Sequence, residues 1–295
     1  MRHCCVILSA LSLWASLASY GQETTFRTGT RLVVLNVSVF DKDGKIVRDL
    51  PKSAFTVYEN GEKQTVNVFR QDDVPISLGL IIDNSASMTD KRDLVASSAL
   101  AMVKASNPQD EVFIINFNEK AVLAKDFTSD VKDLEKALRN LDAKGETAMR
   151  DALLLGIEHL RHSGHRDKKV LLVVTDGEDN SSMETQTHLV EVAQKNDVII
   201  YAIGLLGAEE PESAARAKKQ LGELTEQTGG QSWFPKDVAD IANITPDIAH
   251  EIRNQYILAY TPSNLAADGS FRRIRVDVDL PNALVRTRTG YYAPK

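Results

Sequence analysis

The stretch Ile76-Ser77-Leu78-Gly79-Leu80-Ile81-Ile82-Asp83-Asn84-Ser85-Ala86-Ser87 decides the reading of this chain. Its first seven residues lack the polar alternation of a half-exposed strand and describe one buried on both faces. Working outward, 112–117, 170–174 and 198–205 are similar apolar strands. Amphipathic helices are expected between and after them at 94–103, 131–141, 148–160, 187–193 and 238–253, with Leu134, Leu138 and Leu141 on one face of the second. Doubly buried strands alternating with such helices predict an α/β domain over 75–254, a doubly wound, mainly parallel sheet covered on both sides.

Both flanks of that domain are β-rich. Val33, Leu35, Val37 and Val39 share one parity, and the hairpin dipeptides Asp43-Gly44 and Asn60-Gly61 follow, the second between strands at 55–58 and 65–69. Beyond the α/β domain, 256–260 is a strand. From 272 to 280, Ile274, Val276, Val278 and Leu280 alternate with Arg273, Arg275, Asp277 and Asp279, and 283–292 supplies one more strand. About three strands on either side are too few to bury a core alone. The two flanks, 22–74 and 255–295, are therefore expected to pair into one β-sandwich into which the α/β domain is inserted.

The chain has 295 residues, of which 43% are hydrophobic and 26% charged, an ordinary globular composition. With 35 Lys and Arg against 41 Asp and Glu, the net charge of −6 disfavours nucleic acid as a partner, because phosphate binding needs a basic surface. Residues 1–21 read as a signal peptide. Arg2 and His3 precede an apolar run from 6 to 18, and Ser19 and Gly21 stand at −3 and −1 of a cut before Gln22. The run is short for a membrane span, which needs roughly 20 apolar residues. A secreted or periplasmic mature chain without a membrane span is the expectation, and an uncleaved N-terminal anchor is the alternative. Cys4 and Cys5, the two cysteines, fall in that segment. The expected mature chain thus offers neither a disulfide nor a thiolate.

Chemistry concentrates at the carboxyl ends of the strands, where ligands bind in open α/β sheets. The loop leaving 76–82 carries Asp83, Ser85 and Ser87. Thr147 lies in a second loop, Gly145-Glu146-Thr147, and Asp176 in a third, Thr175-Asp176-Gly177. Carboxylates and hydroxyls suit a hard cation, Mg²⁺ or alternatively Mn²⁺ or Ca²⁺, rather than Zn²⁺ or Cu²⁺. Five protein oxygens leave a six-coordinate ion one position for an external ligand. An incompletely neutralised cation favours an anionic oxygen there, such as an Asp or Glu of a partner protein.

Asp83-x-Ser85-x-Ser87, Thr147 in Gly-x-Thr and Asp176 in Thr-Asp-Gly together resemble the metal ion-dependent adhesion site of von Willebrand factor type A domains. The resemblance covers 75–254. It implies that Ser85, Ser87 and Thr147 touch the metal, that Asp83 and Asp176 act directly or through water, and that the module binds protein. The segments 55–64 and 289–294 resemble an exported group of such proteins described from acidobacteria.

Other signals compete with this reading. His159, His162 and His165 are expected to be solvated residues at a helix end, where they favour the helix dipole. Glu178 and Asp179 are expected as rim charges that tune partner choice, and 214–226 as an exposed helix face. A Mg²⁺-dependent hydrolase and a purely structural envelope module are the alternative functions. The chain shows no G-x-S-x-G elbow and no P-loop, so no catalytic residues are assigned and the reading is non-enzymatic. Because 238–253 runs directly into the strand at 256, its displacement on ligand binding is expected to reorient the sandwich.

Overall fold

A computed structural model describes residues 32–71, 73–104, 107–139 and 144–295. The expected signal peptide lies outside the described residues. Strands β1 (Val33–Phe40), β2 (Phe55–Glu59), β3 (Glu62–Gln64) and β4 (Val66–Arg70) come first. An alternating series follows: β5 (Ile76–Asp83), α1 (Arg92–Lys104), β6 (Glu111–Phe117), β7 (Ala121–Thr128), α2 (Val131–Arg139) and α3 (Met149–Ser163). It continues through β8 (Lys168–Thr175), α4 (Gln186–Lys195), β9 (Val198–Gly204), α5 (Pro211–Thr228), β10 (Ser232–Trp233) and α6 (Ile241–Arg253). The described chain closes with β11 (Tyr256–Tyr260), β12 (Phe271–Val278), β13 (Leu284–Arg286) and β14 (Gly290–Tyr292).

The central sheet has the order β10-β9-β8-β5-β6-β7 and is parallel except for β7, which pairs antiparallel with β6 at the edge. The α/β reading of this region therefore holds. Every residue of β5 is buried. Leu78, Leu80 and Ile82 pack with Val95, Met102, Ile248 and Ile252 of α1 and α6 on one face. Ile81 packs with Phe113, Leu153, Ile157 and Leu171 on the other. Gly79 is glycine because a Cβ there would lie 2.3 Å from Phe113 Cζ. The chain proceeds from β5 to β6 on one side and to β8 on the other, so the topological switch point falls between β5 and β8. Asp83 ends β5, and Asp176 immediately follows β8.

The flanks form two four-stranded sheets, β13-β1-β11-β4 and β14-β12-β2-β3, each mixing N- and C-terminal strands. Leu35, Val37, Val57, Tyr256, Leu258, Tyr260, Ile274 and Val276 share one buried core between them. Two strand readings need correction. Asn60 and Gly61 take the positive φ of a tight turn, but only β3 folds back on β2, while β4 crosses to pair with β11. Gln64 secures that crossing: its Oε1 accepts from the Ser263 amide and its Nε2 donates to the Ser263 hydroxyl, both at 2.9 Å. The stretch 283–292 is two strands, because β13 pairs with β1 and β14 with β12. Arg288 lies in the segment between them, donating to the Val34 carbonyl at 2.9 Å and pairing with Asp197.

At the end of the central sheet away from Asp83, a buried polar cluster joins α6 to the flanking strands. Glu251 accepts from Ser38 Oγ at 3.2 Å and from Arg286 at 3.0 Å. Gln255 donates to Ser38 Oγ and to the Tyr201 hydroxyl at 3.1 and 3.2 Å. Lys168 donates to the Ile252 carbonyl, and burial pushes its ammonium down to about 7 while Glu251 opposes that shift. The unfolded chain holds this proton up to about pH 10.5, so the folded state sheds it first as pH rises and the cost of burying charge is relieved. Wild type is expected to gain about 2 kcal/mol relative to Lys168→Met between pH 7 and pH 9. Urea melts of both proteins at the two pH values check this, and an unchanged difference refutes it.

Candidate metal centre

Three loops meet at the switch point: two leave β5 and β8, and the third, which carries Thr147, does not leave a strand but precedes α3. Asp83 is buried at the end of β5, where its carboxylate accepts from the Ser85 amide at 2.8 Å and the Thr175 hydroxyl at 2.6 Å. After Ser85 the chain turns through one short 3-10 helix, Ala86–Met88. That turn brings Ser87 Oγ to 3.2 Å from Ser85 Oγ. Ser87 also donates to Asp176 Oδ1 at 2.8 Å. Asp83, Ser85, Ser87 and Asp176 are thus one hydrogen-bonded group, and Ser87 is its exposed member.

Thr147 joins through the backbone. Its loop is tied to the first by Ala86 N–H to Gly145 O at 3.3 Å and Lys144 N–H to Asn84 O at 3.0 Å. The Thr147 amide donates to Asn180 Oδ1 at 3.0 Å, and its carbonyl accepts from Asn180 and Ser181 in the segment after Asp176. Gly145 has φ +80°, a conformation that favours glycine, and a Cβ there would lie 2.8 Å from Glu119 Oε2. All five sequence-predicted positions therefore stand on three interlocked loops.

The donor chemistry fits a hard cation. Burial pushes the Asp83 carboxyl up to about 6 against the lowering effect of Thr175 and Ser85, and the neighbouring Asp176 charge adds to the rise. Two adjacent buried carboxylates need compensating positive charge. Among the described residues, no group of three or more His, Cys, Asp or Glu is placed to hold a metal. A cation site drawing on only two carboxylates must use hydroxyls, as this group provides. Lys91, which pattern reading did not single out, pairs with Asp176 Oδ2.

Two other expectations change. Asp179 is buried rather than a rim charge: it accepts from the Arg150 amide at 2.8 Å and from the Ser182 hydroxyl at 2.8 Å, and it pairs with the Arg150 guanidinium. It caps the start of α3 and thereby steadies the Thr147 loop. Glu178 pairs with Arg216 and accepts from Ser213, so it is already engaged by α5. His159 is not solvated, because its ring stacks on Phe127 at 5.0 Å and pairs with Asp126. His162 and His165 are exposed, as expected; His165 pairs with Glu111, and His162 contacts Arg161.

Residues 78–178 match the family model described as von Willebrand factor type A domain, a span that includes all five positions. An uncharacterised protein of Borreliella burgdorferi is 22% identical over 174 residues, covering 58% of this chain and 50% of that one. Mouse integrin alpha-11 is 32% identical over 108 residues, covering 34% of this chain and 9% of that one. The chain spans half or less of the length of the curated relatives it matches. A solved structure of von Willebrand factor type A from Catenulispora acidiphila shares the fold, with a TM-score of 0.53 and 13% identity over 90% of this chain and 75% of that one. The family match over 78–178, the doubly wound sheet and the loops at its switch point all agree with a von Willebrand factor type A domain in the α/β part of this chain.

Proposed function

We propose that this chain is an exported protein-binding module, for adhesion or envelope scaffolding, that presents a divalent cation to an acidic side chain of a partner. Asp83, Ser85, Ser87, Thr147 and Asp176 hold the ion, Mg²⁺ or Mn²⁺ or Ca²⁺. When bound, the cation supplies positive charge that attracts a carboxylate oxygen. The observation that carries the reading is the convergence of two buried carboxylates and the Ser85 and Ser87 hydroxyls at the sheet's switch point, with Ser87 open to solvent. Similarity to an integrin supports a role in protein binding. Cleavage before Gln22 places the mature protein in the periplasm or outside the cell. Among the described residues no helix is long and apolar enough to cross a membrane. In this reading 75–254 carries the cation, and 22–74 with 255–295 forms the sandwich that bears it.

The reading predicts that the chain is retained on immobilised poly-glutamate in Mg²⁺ or Mn²⁺ and released by EDTA. Retention on poly-glutamine should be absent under the same conditions. Equal retention with and without EDTA overturns the proposal. Mg²⁺-dependent turnover of generic phosphatase or peptidase substrates, lost in Asp83→Ala, would replace it with the hydrolase alternative.

A further inference from the structure

Asp176 already has a cation beside it. Lys91 follows the short turn that carries Ser87, and its backbone is fixed on both sides: its amide donates to Met88 O and its carbonyl accepts from Val95 N–H, each at 3.0 Å. From that anchored position its ammonium reaches Asp176 Oδ2, while Ser87 holds Oδ1 of the same carboxylate. The Asp176 side chain is fully buried, and that of Lys91 is 16% exposed. This pair is therefore not a screened surface contact, whose worth would be small. It neutralises a carboxylate that the divalent ion must also use.

We propose that Lys91 is a tethered competitor for the divalent cation: its ammonium compensates Asp176 and thereby lowers the affinity of that carboxylate for a metal ion. The inference rests on the metal reading above and adds a residue outside its five positions. Two physical effects act in the same direction. The ammonium uses lone pairs of Asp176 that would otherwise face the ion, and its charge repels an incoming cation within a few ångströms in a poorly screened setting. At an effective dielectric near 20, a charge a few ångströms from a divalent ion is worth well over tenfold, so the two effects together lower affinity by at least about tenfold. The site then loads only where divalent ions are abundant, so binding follows the ionic conditions outside the cytoplasm.

The test is calorimetric titration of Mn²⁺ alone into the full chain as wild type, Lys91→Met, Lys91→Arg and Asp83→Ala. Lys91→Met is expected to bind Mn²⁺ at least about tenfold more tightly than wild type. Lys91→Arg, which keeps the charge, should stay within about threefold of wild type. If Lys91→Met binds no more tightly than wild type while Asp83→Ala abolishes the heat, the competitor role is wrong and the metal reading stands. If neither wild type nor Lys91→Met gives saturable heat, both fail. Lys91→Gln repeats the comparison should Lys91→Met not fold. Loss of the fold in both would show that the ion pair serves the loop itself, and that too overturns the proposal.

Discussion

Asp83→Ala is expected to bind Mn²⁺ at least a hundredfold more weakly than wild type and to lose the cation-induced rise in melting temperature. Asp83 is fully buried at the end of the central strand, with one oxygen on the Ser85 amide and the other on the Thr175 hydroxyl. Wild type at a hundred times its dissociation constant should gain about 2.7 kcal/mol from the ion, and the variant essentially none. The metal-free proteins separate this from simple damage. Removing the carboxylate relieves a costly buried charge but strands two donors, and an unmet buried donor costs roughly 1–3 kcal/mol. The two effects oppose one another, so the metal-free variant should melt close to wild type. Thermal melts with and without saturating Mn²⁺ decide the matter. An equal cation-induced shift in both proteins would remove Asp83 from the site.

The central sheet was legible because its signal is intrinsic to each segment. Residues 76–82 are apolar apart from Ser77 since both faces of β5 meet helices, and no knowledge of distant contacts is needed to read that. The edge strand β7 was not legible. It mixes exposed Val122 and Leu123 with Lys125 and Asp126, and it is a strand because β6 offers it hydrogen bonds. The same limit applied in the sandwich, where a period of two announces a strand but not its partner. Nothing within 65–69 states that this segment leaves β2 for β11 after Gln64. At the candidate cation site, the five positions stood out because hydroxyls and carboxylates gathered in loops, after β5 and β8 and before α3. Thr175 and Lys91 did not, since a threonine in a strand and a lysine before a helix have no meaning until residues more than 80 positions away come into contact. Asp179 shows the converse error: its charge was visible, but its direction into the start of α3 was not.

Glu251→Leu is expected to destabilise the chain by about 3–5 kcal/mol, the usual cost of removing one partner from a buried charge cluster. Glu251 sits in the last turn of α6, where it meets Ser38 of β1 and Arg286 of β13, so one carboxylate ties the α/β domain to both flanks. Burial raises its carboxyl above the usual range despite Arg286, which means that the ionised cluster is held at a cost rather than a profit. Leucine removes that cost but leaves Arg286 facing apolar surroundings with Gln231 as its remaining polar partner at the joint. It also withdraws the negative charge that holds the Lys168 ammonium above a still lower value. The double variant Glu251→Leu with Arg286→Leu should therefore recover part of the loss, because neither charge is then stranded. Urea melts of wild type, both single variants and the double variant yield the coupling. Strictly additive losses would show that the two side chains act independently. A full coupling would make this cluster the joint that sets how α6 is seated between the α/β domain and the sandwich. The expected reorientation of the sandwich by α6 can then be tested without any partner, because Glu251→Leu should change the small-angle scattering profile under conditions where the chain remains folded. An unchanged profile would mean that α6 is held by its apolar face alone, through Ile248 and Ile252 against β5 and α1.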